Sequence, residues 1–240
     1  MAHRRTFPPR WARRRYGSTY TPPAWVPTDI AGCSFFLPGD IAGLSDTDPI
    51  GTWPDSEDAH DATQATESKK FIFYTNQMNG HPGIYRDNID DEMRIAAFTL
   101  NQPFTLLFVI KLNLFATPNN RLLVAGANTM LLDIVGTYIR LYAGASLGAV
   151  TTPIVNDTIY GIEAYFNGAN SVGYINNVQE VAGNAGTSNI TEYVDLGVTG
   201  DPYYQDGMLG YYGEIFGMSG ALAGAERTAY YSYLSSRYGI

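Results

Sequence analysis

The sequence holds a single cysteine, Cys33, in 240 residues. One thiol excludes an intrachain disulfide and a thiolate metal cluster. Charged residues make up only 16% of the chain, and no apolar run approaches the roughly eighteen residues of a membrane-spanning helix. The sequence also lacks a glycine-rich phosphate loop and a G-x-S-x-G nucleophile turn. These absences disfavour a membrane protein, a P-loop nucleotide-binding enzyme and a serine hydrolase with a nucleophile elbow.

The basic residues are concentrated at the N-terminus. The first twenty residues contain six arginines and no acid, whereas the other 220 contain nine basic and 23 acidic residues. Five prolines disfavour a helix in residues 1–27, which we predict to form an extended arm. Guanidinium forks and aromatic anchors suit such an arm to a protein partner. The residues expected to contact the partner are Arg4, Arg5, Arg10, Trp11, Arg13, Arg14, Arg15 and Tyr16.

Residues 28–240, here called the body, have the pattern of an all-β sandwich. Residues 28–70 are rich in Asp, Gly and Pro and predict loops with short edge strands. From residue 71, about a dozen short runs rich in Val, Ile, Tyr, Phe and Thr alternate with turn residues and predict strands. They include Met93–Ile95, Met130–Val135, Tyr138–Tyr142 and Ser171–Ile175. The pair Asn176-Asn177 predicts a hairpin turn, and the glycine-rich stretch Ala143–Ala149 predicts a loop tip.

One segment near the C-terminus breaks this β pattern. Apolar residues recur there at helical spacing and predict an amphipathic helix at about residues 220–238, ended by Gly239. Many strands with no helices between them indicate a sandwich or jelly roll rather than a parallel α/β sheet.

Both ends of the body resemble one family. Trp53, the run 61–64 (DATQ), Asn79-Gly80 and Asp90-Asp91 match the opening pattern of concanavalin A-like, laminin-G-like jelly rolls. The last thirty residues resemble the final strand and helix of that family. Its members are frequent in bacteriophage virion and bacterial surface proteins, so the resemblance implies a jelly-roll body with one C-terminal helix. The turn at 56–59 lacks both glycines of the family pattern, so an ion or sugar site of the relatives is not carried over.

Catalytic and metal-binding patterns are weak. A jelly-roll glycosidase needs two facing carboxylates, and no E-x-D-x-x-E run is present. Glu163 is the only acid of its strand, and Glu214 belongs to the family's structural motif, so we predict a protein that is not an enzyme. No cofactor is expected. Acidic loops leave a structural calcium ion as an alternative, with Asp87, Asp90 and Asp91 as its ligands.

The charge distribution favours a structural role. Our leading hypothesis is a phage capsid decoration or accessory protein on the virion surface, anchored by its arm to the major capsid protein. An arginine arm also suits the acidic body of a second copy, so a homo-oligomer is expected. A nucleic-acid partner is disfavoured because the acidic body repels a polyanion.

Two alternatives stay open. The first is a carbohydrate-binding module of a receptor-binding or adhesion protein, with Tyr203 and Tyr204 as candidate sugar contacts; packing of these tyrosines in a core or an interface is the favoured interpretation. The second is a shell-forming capsid protein whose arm contacts the genome.

Overall fold

A computed structural model describes residues 25–240 except 58–59, 115–118, 127–128, 149–151 and 198–206. The candidate arm residues 4–16 and the candidate sugar contacts Tyr203 and Tyr204 lie outside the described residues. Within the described part, no helix has the length and hydropathy needed to cross a membrane.

Eight strands form the first sheet, called sheet A, and all of its pairings are antiparallel. Their order across the sheet is β14-β13-β12-β7-β16-β5-β4, and β1 also pairs with β16. The bounds are β1 Cys33–Leu37, β4 Ile72–Met78, β5 His81–Arg86, β7 Phe104–Leu114, β12 Ile159–Phe166, β13 Ser171–Ile175, β14 Val178–Gly183 and β16 Leu209–Ser219.

The second sheet, sheet B, also has eight strands, in the order β11-β10-β9-β8-β15-β6-β3-β2. The bounds are β2 Thr52–Trp53, β3 Ala62–Thr63, β6 Met93–Ile95, β8 Asn119–Ala125, β9 Met130–Val135, β10 Tyr138–Tyr142, β11 Ser146–Gly148 and β15 Val194–Leu196. Sheets A and B form the β-sandwich that the sequence predicts.

The two sheets enclose one core because their facing sides carry apolar residues at alternate positions. In β10, Ile139 and Leu141 are fully buried in this core, whereas the alternate residues Tyr138, Arg140 and Tyr142 face outward and are half-buried. Trp53 and Tyr212 also lie fully inside it, with ring centroids 6.2 Å apart. Trp53 belongs to the loop-rich residues 28–70, so its burial packs that region against the main core.

Several predicted elements are confirmed with their bounds, including β6, β9, β10 and β13. The predicted hairpin joins β13 to β14, with φ of 47° at Asn176 and 65° at Asn177. The prediction of a loop tip at Ala143–Ala149 is wrong in part, because Ser146–Gly148 pairs with β10 as strand β11. A three-residue strand has too little pattern of its own to be recognised, and only its pairing partner defines it.

The single α-helix of the described residues, α1, spans Gly224–Tyr238. Gly239 follows in the left-handed conformation, with φ of 77°, and its N–H donates to the Ser235 carbonyl. The helix begins four residues later than predicted, since the chain before it is extended at Ala223. Its apolar side packs on the outer face of sheet A, where Leu107 and Val109 of β7 belong to the same buried cluster as Leu234.

Candidate functional site

A continuous row of residues crosses the outer face of sheet B, and we call it the cross-strand row. Its members are directly opposite each other in successive strands, from β2 at one edge to β11 at the other. The row runs through Thr52, Thr63, Arg94, Asp195, Val124, Leu131, Tyr142 and Ser146. Side chains alternate between the faces of a sheet. Because the neighbours of Arg94 in sequence, Met93 and Ile95, are in the core, the row faces outward.

The row changes character along its length. Thr52, Thr63 and Arg94 are exposed, whereas Val124 and Leu131 in the middle are buried. The row is therefore exposed and polar at the end formed by β2, β3 and β6, which we call the open end. At the other end Tyr142 is half-buried and Ser146 is exposed.

Arg94 is fixed at this open end by two contacts. Its Nε and Nη2 donate to the two carboxylate oxygens of Asp195 at 2.6 and 2.9 Å. Its guanidinium carbon lies 3.9 Å from the centroid of the Tyr193 ring. The hydrogen bond to Asp195 raises the pKa of Arg94. The Asp195 side chain is fully buried while 45% of the Arg94 side chain is exposed. Asp195 therefore fixes the orientation of an arginine side chain that remains accessible to solvent.

A pocket of about 300 Å³ is lined in part by Arg94, and we call it the Arg94 pocket. It is lined by Thr63, Gln64, Ala65, Glu92, Arg94 and Ala96. The Gln64 side chain is oriented by two contacts: its Nε2 donates to the Glu92 carbonyl at 3.0 Å, and its Oε1 accepts from the Thr66 N–H at 2.8 Å. The pocket thus combines donors and acceptors, with Thr63 and Arg94 in paired strands and the other lining residues in the chain beside them.

A second ion pair lies on the same face, outside the Arg94 pocket. Arg140 of β10 donates through Nε to Asp133 Oδ1 at 3.0 Å, and its Nη2 donates to the other oxygen. The Asp133 side chain is fully buried and that of Arg140 is one quarter exposed. This pair resembles Arg94–Asp195 in its geometry but lines none of the described pockets.

On the opposite side of the sandwich, Glu214 of β16 is completely buried beneath α1. Three hydroxyls of the helix donate to its carboxylate: Tyr230 at 3.2 Å, Tyr233 at 2.8 Å and Tyr238 at 3.0 Å. Burial raises the pKa of Glu214 to about 7, although these hydroxyls and Arg237 favour its ionised form. Glu214 therefore serves to attach the helix to the sheet.

Glu163 of β12 is held beneath the same helix. It accepts from Arg227 Nη1 at 2.8 Å and from the Tyr231 hydroxyl at 2.8 Å. Burial raises its pKa against the opposing effect of Arg227. Both Glu163 and Glu214 point from the outer face of sheet A toward α1 and not into an open cleft. They are therefore not placed to attack a bound substrate.

A groove runs beside α1, with a volume of about 560 Å³. We call it the helix groove, and its lining is formed by Trp25, His81, Ala229, Ser232, Tyr233, Ser236 and Arg237. Trp25 is the first described residue, and its ring packs edge-on against Tyr230 and Tyr233 with centroids 5.9 Å away in each case. The described part of the chain therefore begins next to α1.

The loop that carries the predicted calcium ligands is organised by a buried arginine. Arg86, fully buried, donates to the carbonyls of Ile89, Asp91, Gly207 and Met208 at 2.5 to 3.2 Å. This network connects the loop at residues 87–91 to the chain at Gly207 and Met208.

The acids of that loop do not form a recognisable metal site. Asp91 accepts from the Asn88 N–H at 3.0 Å, and burial together with a hydrogen bond to Asp87 raises its pKa to about 7. Asp90 Oδ1 is buried without a hydrogen-bond partner, but no group of three His, Cys, Asp or Glu side chains in the described chain is arranged to hold a metal. The calcium hypothesis for Asp87, Asp90 and Asp91 thus gains no support from their side chains.

Sequence reasoning missed the Arg94–Asp195 pair because its members are 101 residues apart. A weak signal was present. Asp195 is a charged residue between two apolar ones in a short strand, as is Arg94. A single charge in such a run is expected to face outward or to be paired, but the sequence does not show which strands are neighbours.

Comparisons with known proteins bear on the fold. No protein-family model matches the chain, and no curated protein matches it. Among solved structures, domain 4 of AbnA, a GH43 extracellular arabinanase from Geobacillus stearothermophilus, was determined in complex with arabinotriose. It superposes with a TM-score of 0.62 at 13% identity, over 82% of this chain and 96% of that domain.

A second similar structure is the Trypanosoma rangeli sialidase, with a TM-score of 0.59 at 16% identity. The match covers 86% of this chain and 33% of the sialidase chain, so the protein spans about a third of that relative's length. A sialidase and an arabinanase are enzymes. At these identities the likeness shows the fold alone, which is a β-sandwich.

Proposed function

We propose that the body is a non-catalytic carbohydrate-binding β-sandwich. The observation that carries this proposal is the superposition on almost the whole of a single domain that holds arabinotriose. The exposed polar end of the cross-strand row supports it, because saccharide hydroxyls need both donors and acceptors in fixed positions. Fold likeness is a weak warrant for function, so the proposal also depends on this surface.

The absence of catalysis is part of the proposal. A glycosidase needs two carboxyl groups roughly 5–10 Å apart, one on each side of the scissile bond. In the described part of the chain, four buried carboxylates on the outer faces of the sheets are already engaged by arginine or tyrosine. They are Asp133, Glu163, Asp195 and Glu214. The side chains of these acids are 0–1% exposed, so a scissile bond reaches none of them without displacing the partner that now covers it.

A glycan array with the full chain tests this proposal. We expect selective binding of a subset of saccharides, with millimolar or tighter dissociation constants, and no release of reducing ends on prolonged incubation. A matched variant with all six N-terminal arginines changed to glutamine separates sugar recognition from attraction of acidic glycans to the arm. A blank array refutes saccharide binding, and steady production of reducing ends refutes the non-catalytic part.

A second candidate function is the virion accessory protein predicted from the sequence, held to the major capsid protein by its arm. The specific observation in its favour is the contact of Trp25, a residue of the predicted arm, with Tyr230 and Tyr233 of α1. The acidic body favours a protein partner over a nucleic acid.

Deletion of residues 1–24 tests this second candidate. The truncated chain is expected to be excluded from assembled particles, whereas the six-arginine-to-glutamine variant shows whether charge or chain length is responsible. Co-sedimentation with purified particles measures incorporation. Full incorporation of the truncated chain contradicts the role of the arm, and incorporation only into particles that contain nucleic acid favours the genome-contacting alternative.

A further inference from the structure

We infer that the Arg94 pocket binds one unit of a neutral saccharide, with Arg94 as the residue that selects it. This inference rests on the proposed function and assigns it to a place in the fold. The pocket lies where Thr63 of β3 and Arg94 of β6 are directly paired, at the open end of the cross-strand row. Its volume of about 300 Å³ is at the small end of the range for ligand pockets, ~300–1,000 Å³, which suits a single sugar ring.

Arg94 is prepared for binding before a ligand arrives. Two of its five N–H groups are directed at Asp195, which leaves one N–H on Nη2 and two on Nη1 for another partner. The contacts with Asp195 and Tyr193 restrict the side chain, so little conformational entropy remains to be lost on binding. A pair of adjacent sugar hydroxyls matches this fixed row of donors.

The other lining groups complete the pattern for a hydroxylated ligand. Glu92 supplies carboxylate acceptors for sugar O–H groups, and its side chain is 23% exposed. Thr63 supplies a hydroxyl that both donates and accepts. The Gln64 side chain is fixed by its hydrogen bonds to Glu92 and Thr66, so it contributes a rigid part of the pocket lining.

The charge balance favours a neutral ligand over an acidic one. The charge of Arg94 is matched by Asp195, and Lys69 Nζ lies 3.9 Å from Glu92 Oε1. The pocket therefore has no excess positive charge to hold a carboxylate or a sulfate. The body around it carries nine basic and 23 acidic residues after the first twenty positions, and this negative field repels anions.

The test is isothermal titration of full-length variants with the neutral oligosaccharide that binds best in the array. Removing Arg94 alone leaves Asp195 buried without its partner, so the pair is replaced together in Arg94→Met/Asp195→Leu. Glu92→Ala is a second pocket variant, and it leaves the Arg94–Asp195 ion pair intact. Arg140→Met/Asp133→Leu is the matched control, since it removes a similar pair from the same face outside the pocket.

Each pocket variant is expected to weaken binding at least about tenfold, while the control stays within about twofold of the wild type. A smaller loss in either pocket variant, or an equal loss in the control, overturns the assignment of the site. A wild type that binds no neutral saccharide overturns the proposed function itself, so the two failures are distinguishable. Circular dichroism confirms that each variant keeps its β-sheet signal.

Discussion

The buried Glu214 allows a quantitative test of how helix α1 is attached. Its carboxylate has no exposure to water and accepts three tyrosine hydroxyls from the helix. Desolvation disfavours the charged form and raises the pKa from 4.5 to about 7, in opposition to the hydroxyls and Arg237. The predicted perturbation is Glu214→Gln, which keeps the side-chain size and removes the titration.

The sign and size follow from the two pKa values. In the unfolded chain Glu214 ionises near 4.5, whereas in the folded protein it ionises near 7. The folded state holds the proton more tightly, so the stabilising contribution is complete below pH 4.5 and is lost as the pH rises through 7. A difference of about 2.5 pH units corresponds to about 3 kcal/mol of unfolding free energy.

Urea unfolding of wild type and Glu214→Gln between pH 4.5 and 8, followed by tryptophan fluorescence, measures this contribution. The variant loses hydrogen-bond energy by an amount that does not depend on pH. The stability of the variant relative to the wild type should therefore improve by about 3 kcal/mol as the pH rises over this range. A relative stability that stays constant within about 1 kcal/mol, or that moves the other way, refutes the reasoning.

The control for this experiment is Glu67→Gln. Glu67 pairs with Lys70 at 2.5 Å, but its side chain is 72% exposed. An exposed ion pair contributes about 1 kcal/mol or less. The control curve should therefore lie close to that of the wild type at every pH.

Three further changes test the fold. Phe108→Ala removes a fully buried ring of β7. It should lower the unfolding free energy measured in urea titrations by about 3–5 kcal/mol. A loss under about 1 kcal/mol is incompatible with the described core. Asn177→Ala, at φ of 65°, should cost about 1 kcal/mol and Asn177→Gly less, since glycine tolerates this conformation; the reverse order contradicts the turn. Arg86→Met leaves four carbonyls without their donor and should lower the unfolding free energy by more than about 3 kcal/mol. An unchanged unfolding free energy contradicts the network.

Local patterns predicted the elements that depend on near neighbours. Tyr138–Tyr142 alternates between outward and core-facing residues, and its bounds as strand β10 are those predicted. Asn176 and Asn177 tolerate positive φ, so the hairpin between β13 and β14 was visible in the sequence. The end of α1 was equally clear, because Gly239 adopts the conformation that stops a helix.

The candidate site was not predictable in the same way, because it depends on strands that are distant in the chain. Arg94 meets Thr63 on one side and Asp195 on the other, and no local pattern specifies this order of strands. For the same reason Glu214 was visible as an acid in an apolar strand, but its three tyrosine partners were not. The sugar contacts proposed from the sequence, Tyr203 and Tyr204, fall outside the described residues and stay a prediction.

The central claim is that the outer face of sheet B binds a neutral saccharide at its open end. A crystal structure of the protein soaked with the saccharide that binds best tests it most directly, provided that the Arg94 pocket is free of lattice contacts. The account predicts density for a sugar ring with hydroxyl oxygens within hydrogen-bonding distance of the Arg94 guanidinium. Density for the saccharide elsewhere, for example in the helix groove, or an empty pocket at saturating concentration, contradicts it.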